Sequence, residues 1–342
     1  MIRIALAAIA LLLLAPIAQA ASFDCAKAGT SFEKAICSDD AISQQDEILA
    51  QAYATALGGL SAAAATEIKS TQKTWLNFAQ RTCSDDATLI TGDYTDDQKQ
   101  CLASTFRSRI GDLEASRMQG GYRFYPIDRY LVAPDTETQP GDYGYKASEK
   151  EFHIVKIDRD DGLADAFNAM IDILIAGQGD FFRPGTTEIS ADDPTSDYDL
   201  STKVEEVTNH RITLTANEWF FGHGAAHGNY FITHVHFLTE QKRQLEASDI
   251  FEAEGWEDKL AEIATAKLKE QLDPEDLFPD FEKDVKAPAI DPLRWMFSDA
   301  GLGIQFNIYE VTPYAAGAPT ITIPWDELSD LLAEGAEEIA YY

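Results

Sequence analysis

Residues 72–101 read QKTWLNFAQRTCSDDATLITGDYTDDQKQC. An apolar stripe of Ile68, Trp75, Leu76 and Ala79 runs into Cys83, a polar loop follows, and a second helix starts at the acidic pair Asp96 and Asp97 and carries Cys101. Apolar residues three and four apart mark one face of a helix, and acidic residues suit its first turn. The second helix continues through Leu102, Phe106, Ile110 and Leu113 and turns basic at Arg107, Arg109 and Arg117. Upstream, from Ile42, the residues Leu49, Ala52, Tyr53, Ala56, Leu57 and Leu60 repeat the same steps until Gly58-Gly59 weakens the pattern. Residues 21–117 are therefore expected to form a short helical bundle.

All four cysteines, Cys25, Cys37, Cys83 and Cys101, lie in this segment. Ahead of it, residues 1–20 combine Arg3, an apolar run from Ile4 to Ala15, Pro16 and the triplet Ala18-Gln19-Ala20. This is the layout of a cleavable secretory signal, with an apolar run shorter than the roughly 20 residues of a membrane-spanning helix. The expected product is periplasmic or secreted, with no membrane insertion after cleavage. An even number of cysteines in such a chain reads as a disulfide framework. Three pairings are open; the local one, Cys25 with Cys37 and Cys83 with Cys101, closes one short loop per bond. Zinc fits poorly, with no C-x-x-C pair and no histidine before His153.

The chain carries 58 Asp and Glu against 27 Lys and Arg, a formal net charge of −31. Nucleic acid and anionic lipid would repel it. A cationic protein would be drawn to it at long range, most strongly at low salt.

Residues 118–142, rich in Gly and Pro, read as a linker, although YRFYPIDRYLV (122–132) could include an edge strand of the second domain. Beyond it, KEFHIVKI (150–157) reads as a strand, Leu163 to Ile175 as an amphipathic helix, and HRITLTANEWFF (210–221) and NYFITHVHFLT (229–239) as antiparallel strands. Trp256 to Leu272 reads as a helix, GLGIQFNIYEV and PTITIPW as strands, and Asp326 to Leu332 as a closing helix. The expected fold class is α+β: a disulfide-stapled helical bundle (21–117), then an antiparallel sheet domain with packed helices (143–342).

No nucleophile elbow, phosphate loop, H-E-x-x-H or dinucleotide fingerprint occurs, and no cofactor is implied. The chain therefore reads as a non-enzyme. Four histidines, His223, His227, His234 and His236, cluster in FFGHGAAHGNYFITHVHF. His234 and His236 are two apart on a strand and share a face, as metal ligands can. A glycine-rich turn followed by packed strand histidines explains the cluster better, because no acidic or cysteine ligand lies close in sequence. The aromatic runs Trp219 to Phe221 and Trp295 to Phe297 suit a core or a partner contact. Asp276, Asp280 and Glu282, in the acidic stretch 273–284, are the candidates for gripping a cationic partner.

Residues 23–113, from FDCAKAGTSFEKAIC through TQKTWLNFAQRTC to CLASTFRSRIGDL, resemble the N-terminal domain family of the lysozyme inhibitor LprI. The resemblance involves all four cysteines with Glu33, Tyr53, Gln72, Trp75, Arg81 and Arg109. The second half resembles the extracellular domain of RsiV-like anti-sigma factors, on GAAHGNYFITHVHF, SDIF and LGIQFNIYEVTPYAAGAPTITIPWDEL; His227 and Asn229 keep the family's turn, while Ala225 and Gly228 depart from its Gly and Pro. Both resemblances imply proteins that engage lysozyme. The implied partner is a lysozyme-like cationic peptidoglycan hydrolase, bound and sterically blocked, with His227 and Asn229 added to the acidic stretch as candidate contacts. A peptidoglycan- or metal-binding envelope module, or a hydrolase built on the second domain, are the alternative classes.

Overall fold

The computed structural model describes residues 21–137, 147–177, 181, 190 and 192–341. The signal segment 1–20 and residues 138–146, where the linker was expected to end, lie outside them.

Helices α1 (Ser31–Ser38), α2 (Asp40–Leu57), α3 (Ala62–Ala79) and α4 (Asp96–Glu114) form the first unit. Each starts on a side-chain cap: Thr30 with Glu33 and Thr95 with Gln98 as capping boxes, Asp39 and Ser61 as single caps. Their apolar stripes meet around Ile42, Ile68, Trp75, Leu102 and Phe106. Cys25 is bonded to Cys37 and Cys83 to Cys101. The second bond fixes the end of α3 against the start of α4. Replacing Cys83 and Cys101 together by Ala is expected to cost about 3 kcal/mol of stability, from the entropy of the reopened loop. The shift of the urea midpoint against the unsubstituted chain measures it.

The segment expected to be a linker is mostly strand. β1 (Met118–Gln119) and β2 (Tyr122–Pro134) open a seven-stranded sheet with β3 (Ala147–Ile157), β4 (Ser196–Val207), β5 (Arg211–Gly222), β6 (Asn229–Leu238) and β7 (Arg243–Gln244), in chain order. Pro126 argued against a strand, and register explains its place. It lies opposite Val155, whose N–H turns away to Thr202 on β4, so the pair is not hydrogen-bonded. The proline nitrogen therefore faces the edge of β2 that the two-residue β1 leaves uncovered, where no donor is needed.

Neighbouring strands are antiparallel except β3 and β4, which run parallel and are joined through α5 (Gly162–Ala176). One sheet face is apolar: Phe152, Ile154, Leu200, Leu214 and Phe237 pack on Phe167 and Ile171 of α5. The other face is largely polar, and two bodies sit on it. At the β2 and β3 side it takes α3 and α4 of the helical unit; at the β5 and β6 side it takes a C-terminal body.

That body holds α6 (Trp256–Gln271), α7 (Lys286–Ala289), a three-stranded sheet of β8 (Trp295–Ser298), β9 (Gly301–Gln305) and β10 (Thr320–Ile323), α8 (Trp325–Leu328) and α9 (Ala336–Tyr341). Its core is aromatic, with Phe251 edge-on to Trp295 at 5.3 Å and stacked on Trp256 at 5.1 Å. Gly301 sits at φ 150°, and a Cβ there would fall 2.0 Å from the Ile323 carbonyl, so the glycine serves the β9–β10 contact. Among the described residues no helix is long and apolar enough to cross a membrane.

Candidate functional site

The seam between the helical unit and the sheet is built on Arg109 of α4, which is fully buried. Its guanidinium donates to Gln72 Oε1 of α3 at 3.0 Å, to Tyr130 Oη of β2 at 2.9 Å, and to the buried carboxylate of Asp128, also on β2. Burial works against the charge of Arg109, and Tyr130, Asp128 and Asp112 overcome it and keep the group protonated. Tyr130 Oη in turn donates to Asp112 at 2.8 Å. Gln72 and Arg109, which carry part of the LprI resemblance, thus point inward and join the two halves of the chain.

Beside this knot lies His153 of β3. Its Nδ1 is 3.4 Å from both Asp112 and Asp128, and its Nε2 is 3.4 Å from Glu151 and 3.6 Å from Asp199. Burial opposes its protonation, yet the surrounding carboxylates raise its pKa well above the ordinary histidine value. Burial pushes Asp112 up, Asp199 up to about 6 and Glu149 up to about 7, with Glu151 adding like-charge repulsion at the last two. Five carboxylates face two cations, Arg109 and His153. Two pockets, of about 380 and 240 Å³, open on either side of Asp112 between α4 and the sheet.

Strand register extends this acidic seam into an open floor. Tyr130, Glu151, Asp199, Trp219 and Tyr230 are paired in turn across β2 to β6 and so share one face. The next row contains Ser201 and Asn217. Asn217 and Trp219 are exposed and Asp199 is partly so, because the C-terminal body stops at Tyr230 and the helical unit at Asp112. Trp219 stacks on Phe221, and Gly228 lies so close to its indole that a Cβ would come within 2.7 Å of Nε1. The result is a cleft with carboxylates on one side and an exposed indole on the other.

The histidines expected as weak metal candidates occupy separate settings. His223 lies between Asp135 at 2.6 Å and Asp197 at 3.3 Å. His227 stacks on Tyr314 at 3.9 Å, with Nε2 3.3 Å from Tyr309 Oη. His234 faces Thr215, and His236 is buried between Thr213 and the Trp295 carbonyl, its pKa pushed down to about 3 by burial and Arg211. Among the described residues no group of three or more His, Cys, Asp or Glu side chains is placed to hold a metal ion. Asn229 opens β6 opposite Phe220. In the acidic stretch, Asp280 is paired with Lys283 at 2.5 Å and Glu282 with Lys269 at 3.0 Å, whereas Asp273, Glu275, Asp276 and Asp284 are exposed and form no ion pair among the described residues.

Residues 24–113 match the family model of the lysozyme inhibitor LprI. Residues 248–326 match DUF3298, a family described as of unknown function. The LprI match spans the four helices and both disulfides; the DUF3298 match spans most of the C-terminal body. Solved structures similar to the chain include a DUF3298 protein from Bacteroides fragilis, at 17% identity and TM-score 0.49 over 65% of this chain and 98% of that one. Another, from Pseudomonas aeruginosa PAO1, has 16% identity and TM-score 0.45 over 62% and 94%. No curated protein matches the chain.

The cleft was not visible beforehand, although Asp112, Asp128, Glu149, Glu151, His153 and Asp199 stand in plain alternation along their strands and helix. Its chemistry has a consequence for stability. Between the ordinary carboxylate value of 4.5 and about 7, folded Glu149 holds a proton that the unfolded chain has released, so its contribution to stability falls as pH rises through that window. His153 acts in the same direction at higher pH, its stabilisation being complete below 6.5 and lost as pH rises through its raised folded value. Glu149→Gln is expected to flatten the stability profile between pH 4.5 and 7 and to add on the order of 2 kcal/mol at pH 7.5. Urea unfolding across that pH range reads both effects.

Proposed function

We propose that the protein is an exported inhibitor that binds a cationic peptidoglycan hydrolase of the lysozyme type and blocks its active site sterically. The match of residues 24–113 to the lysozyme inhibitor family carries this reading. The net charge of −31 supports it, because it steers a cationic enzyme toward the chain. The two disulfides suit a periplasmic or secreted protein. The cleft between the helical unit and the sheet is the surface on which we place the partner, with Asp276, His227 and Asn229 as outlying contacts. In this reading the division falls after residue 117, and β2 belongs with the sheet. No covalent step is required.

The test mixes mature protein with a c-type lysozyme and follows cell-wall lysis over a salt series. Inhibition is expected at micromolar protein and low salt, weakening as salt rises. Undiminished lysis at low salt would sink the reading for that enzyme.

A further inference from the structure

We propose that Tyr309, on the loop between β9 and β10, is a binding residue whose ring receives an arginine or lysine side chain of the partner at the rim of the cleft. This assignment rests on the reading above, in which the partner is a cationic hydrolase. Tyr309 is 51% exposed, and its φ of 66° lies in the left-handed region. A bulky residue rarely occupies that region, which glycine or asparagine adopts with less strain. Burial does not account for the tyrosine, because half of it stands in solvent. Backbone preference does not account for it either, because it opposes the choice. Strained residues of this kind persist only where the surrounding structure over-determines them, and they cluster at ligand contacts.

The surroundings do hold this loop. Asn307, 2% exposed, accepts the Ile232 N–H at 2.8 Å and donates to the Ile232 carbonyl at 3.3 Å, which ties the loop to β6. Glu310 accepts the Asn307 N–H at 2.6 Å through Oε2 and the Arg294 guanidinium at 2.7 Å through Oε1. The Tyr309 N–H donates to the Thr312 carbonyl at 3.1 Å, and Thr312 Oγ donates to the Gly317 carbonyl at 2.8 Å. A ring set in place beforehand gives up little freedom when a partner arrives. Its neighbours say where it faces. Tyr309 Oη is 3.3 Å from His227 Nε2, and the ring lies 6.0 Å from that of Tyr314, on which His227 stacks. Gly228, next to His227, lies against the indole of Trp219, so Tyr309 continues the aromatic side of the cleft outward. An exposed tyrosine face attracts a guanidinium or ammonium group, and the net charge of −31 draws such groups to the chain.

The experiment measures the affinity of residues 21–342 for a c-type lysozyme by calorimetry at low salt, together with the thermal midpoint of each free variant. Tyr309→Asn is expected to weaken binding about tenfold or more while leaving the midpoint unchanged or higher, since asparagine suits the left-handed backbone. Tyr309→Phe, which keeps the ring, is expected to bind within about threefold of the unsubstituted chain. Full affinity in Tyr309→Asn would overturn the assignment and leave the inhibitor reading standing, whereas no binding by the unsubstituted chain would overturn both. A loss of affinity in Tyr309→Asn that comes with a lowered midpoint would assign the ring to packing. A tenfold loss in Tyr309→Phe would rule out the contact between ring and cation.

Discussion

Asp128→Ala is expected to destabilise the folded chain by about 3–5 kcal/mol, the largest single-residue effect foreseen for this fold. Asp128 is 1% exposed and Arg109 fully buried, so the substitution leaves a guanidinium in the interior with the neutral partners Gln72, Tyr130 and Thr71 and a carboxylate no nearer than Asp112 at 4.0 Å. Removing one partner of a buried pair costs far more than removing both, because the remaining charge keeps its desolvation penalty. Arg109→Met with Asp128→Leu is therefore expected to recover a large part of the loss. Urea unfolding of Arg109→Met, Asp128→Leu and the double variant closes the cycle. Equal losses in Asp128→Ala and the double variant would show that packing, not charge, holds the seam.

The same seam shows how far the sequence could be read. The helices were legible because their stripes, charges and cysteines are local signals: Asp96 and Asp97 open α4, and Leu102, Phe106, Ile110 and Leu113 follow at helical steps. The strands β5 and β6 were legible from their β-branched and aromatic runs. β4 was missed although Tyr198, Leu200, Thr202 and Val204 alternate with Asp197, Asp199, Ser201 and Lys203 at a strand's period, because the run has few β-branched residues and lies between the acidic flanks Asp192-Asp193 and Glu205-Glu206. β2 was legible only as a candidate edge strand inside the linker, because Pro126 and the surrounding glycines and prolines interrupt it. With β4 missing and β2 left at an edge, the acidic floor had no frame, since Asp128 comes from β2 and Asp199 from β4. The histidines drew notice because they are adjacent in sequence, yet adjacency on β6 sent His236 into the core and left His227 on a turn. His153, isolated in sequence, is the histidine that register places among four carboxylates.

Trp219→Ala is expected to weaken inhibition of a cationic hydrolase at least 30-fold, and Asn217→Lys by a comparable factor. The indole is 40% exposed beside Asp199, so an arginine or lysine entering the cleft meets a carboxylate and an aromatic face together. Aromatic residues at the centre of an interface account for effects of 2 kcal/mol or more on truncation, which corresponds to about 30-fold in affinity. Asn217→Lys acts differently, by placing a cation on the floor one row from Glu151 and Asp199, where it repels the same partner and fills the charge deficit. Asn217 is exposed, so its unfolding midpoint is expected to stay within the range of ordinary surface changes, whereas Trp219→Ala also removes the indole's packing on Phe221 and Gly228 and is expected to lower the midpoint without unfolding the chain at assay temperature. Salt separates the two mechanisms. Asn217→Lys should flatten the salt dependence of inhibition, since it removes long-range attraction, whereas Trp219→Ala should lower affinity at every salt concentration with an unchanged slope. Lowering the pH from 7.5 to 5.5 should reproduce the Asn217→Lys pattern, as Glu149 and Asp199, with pKa values raised to about 7 and about 6, take up protons and the floor loses its charge. Full inhibition by both variants at low salt would place the partner on another face of the chain.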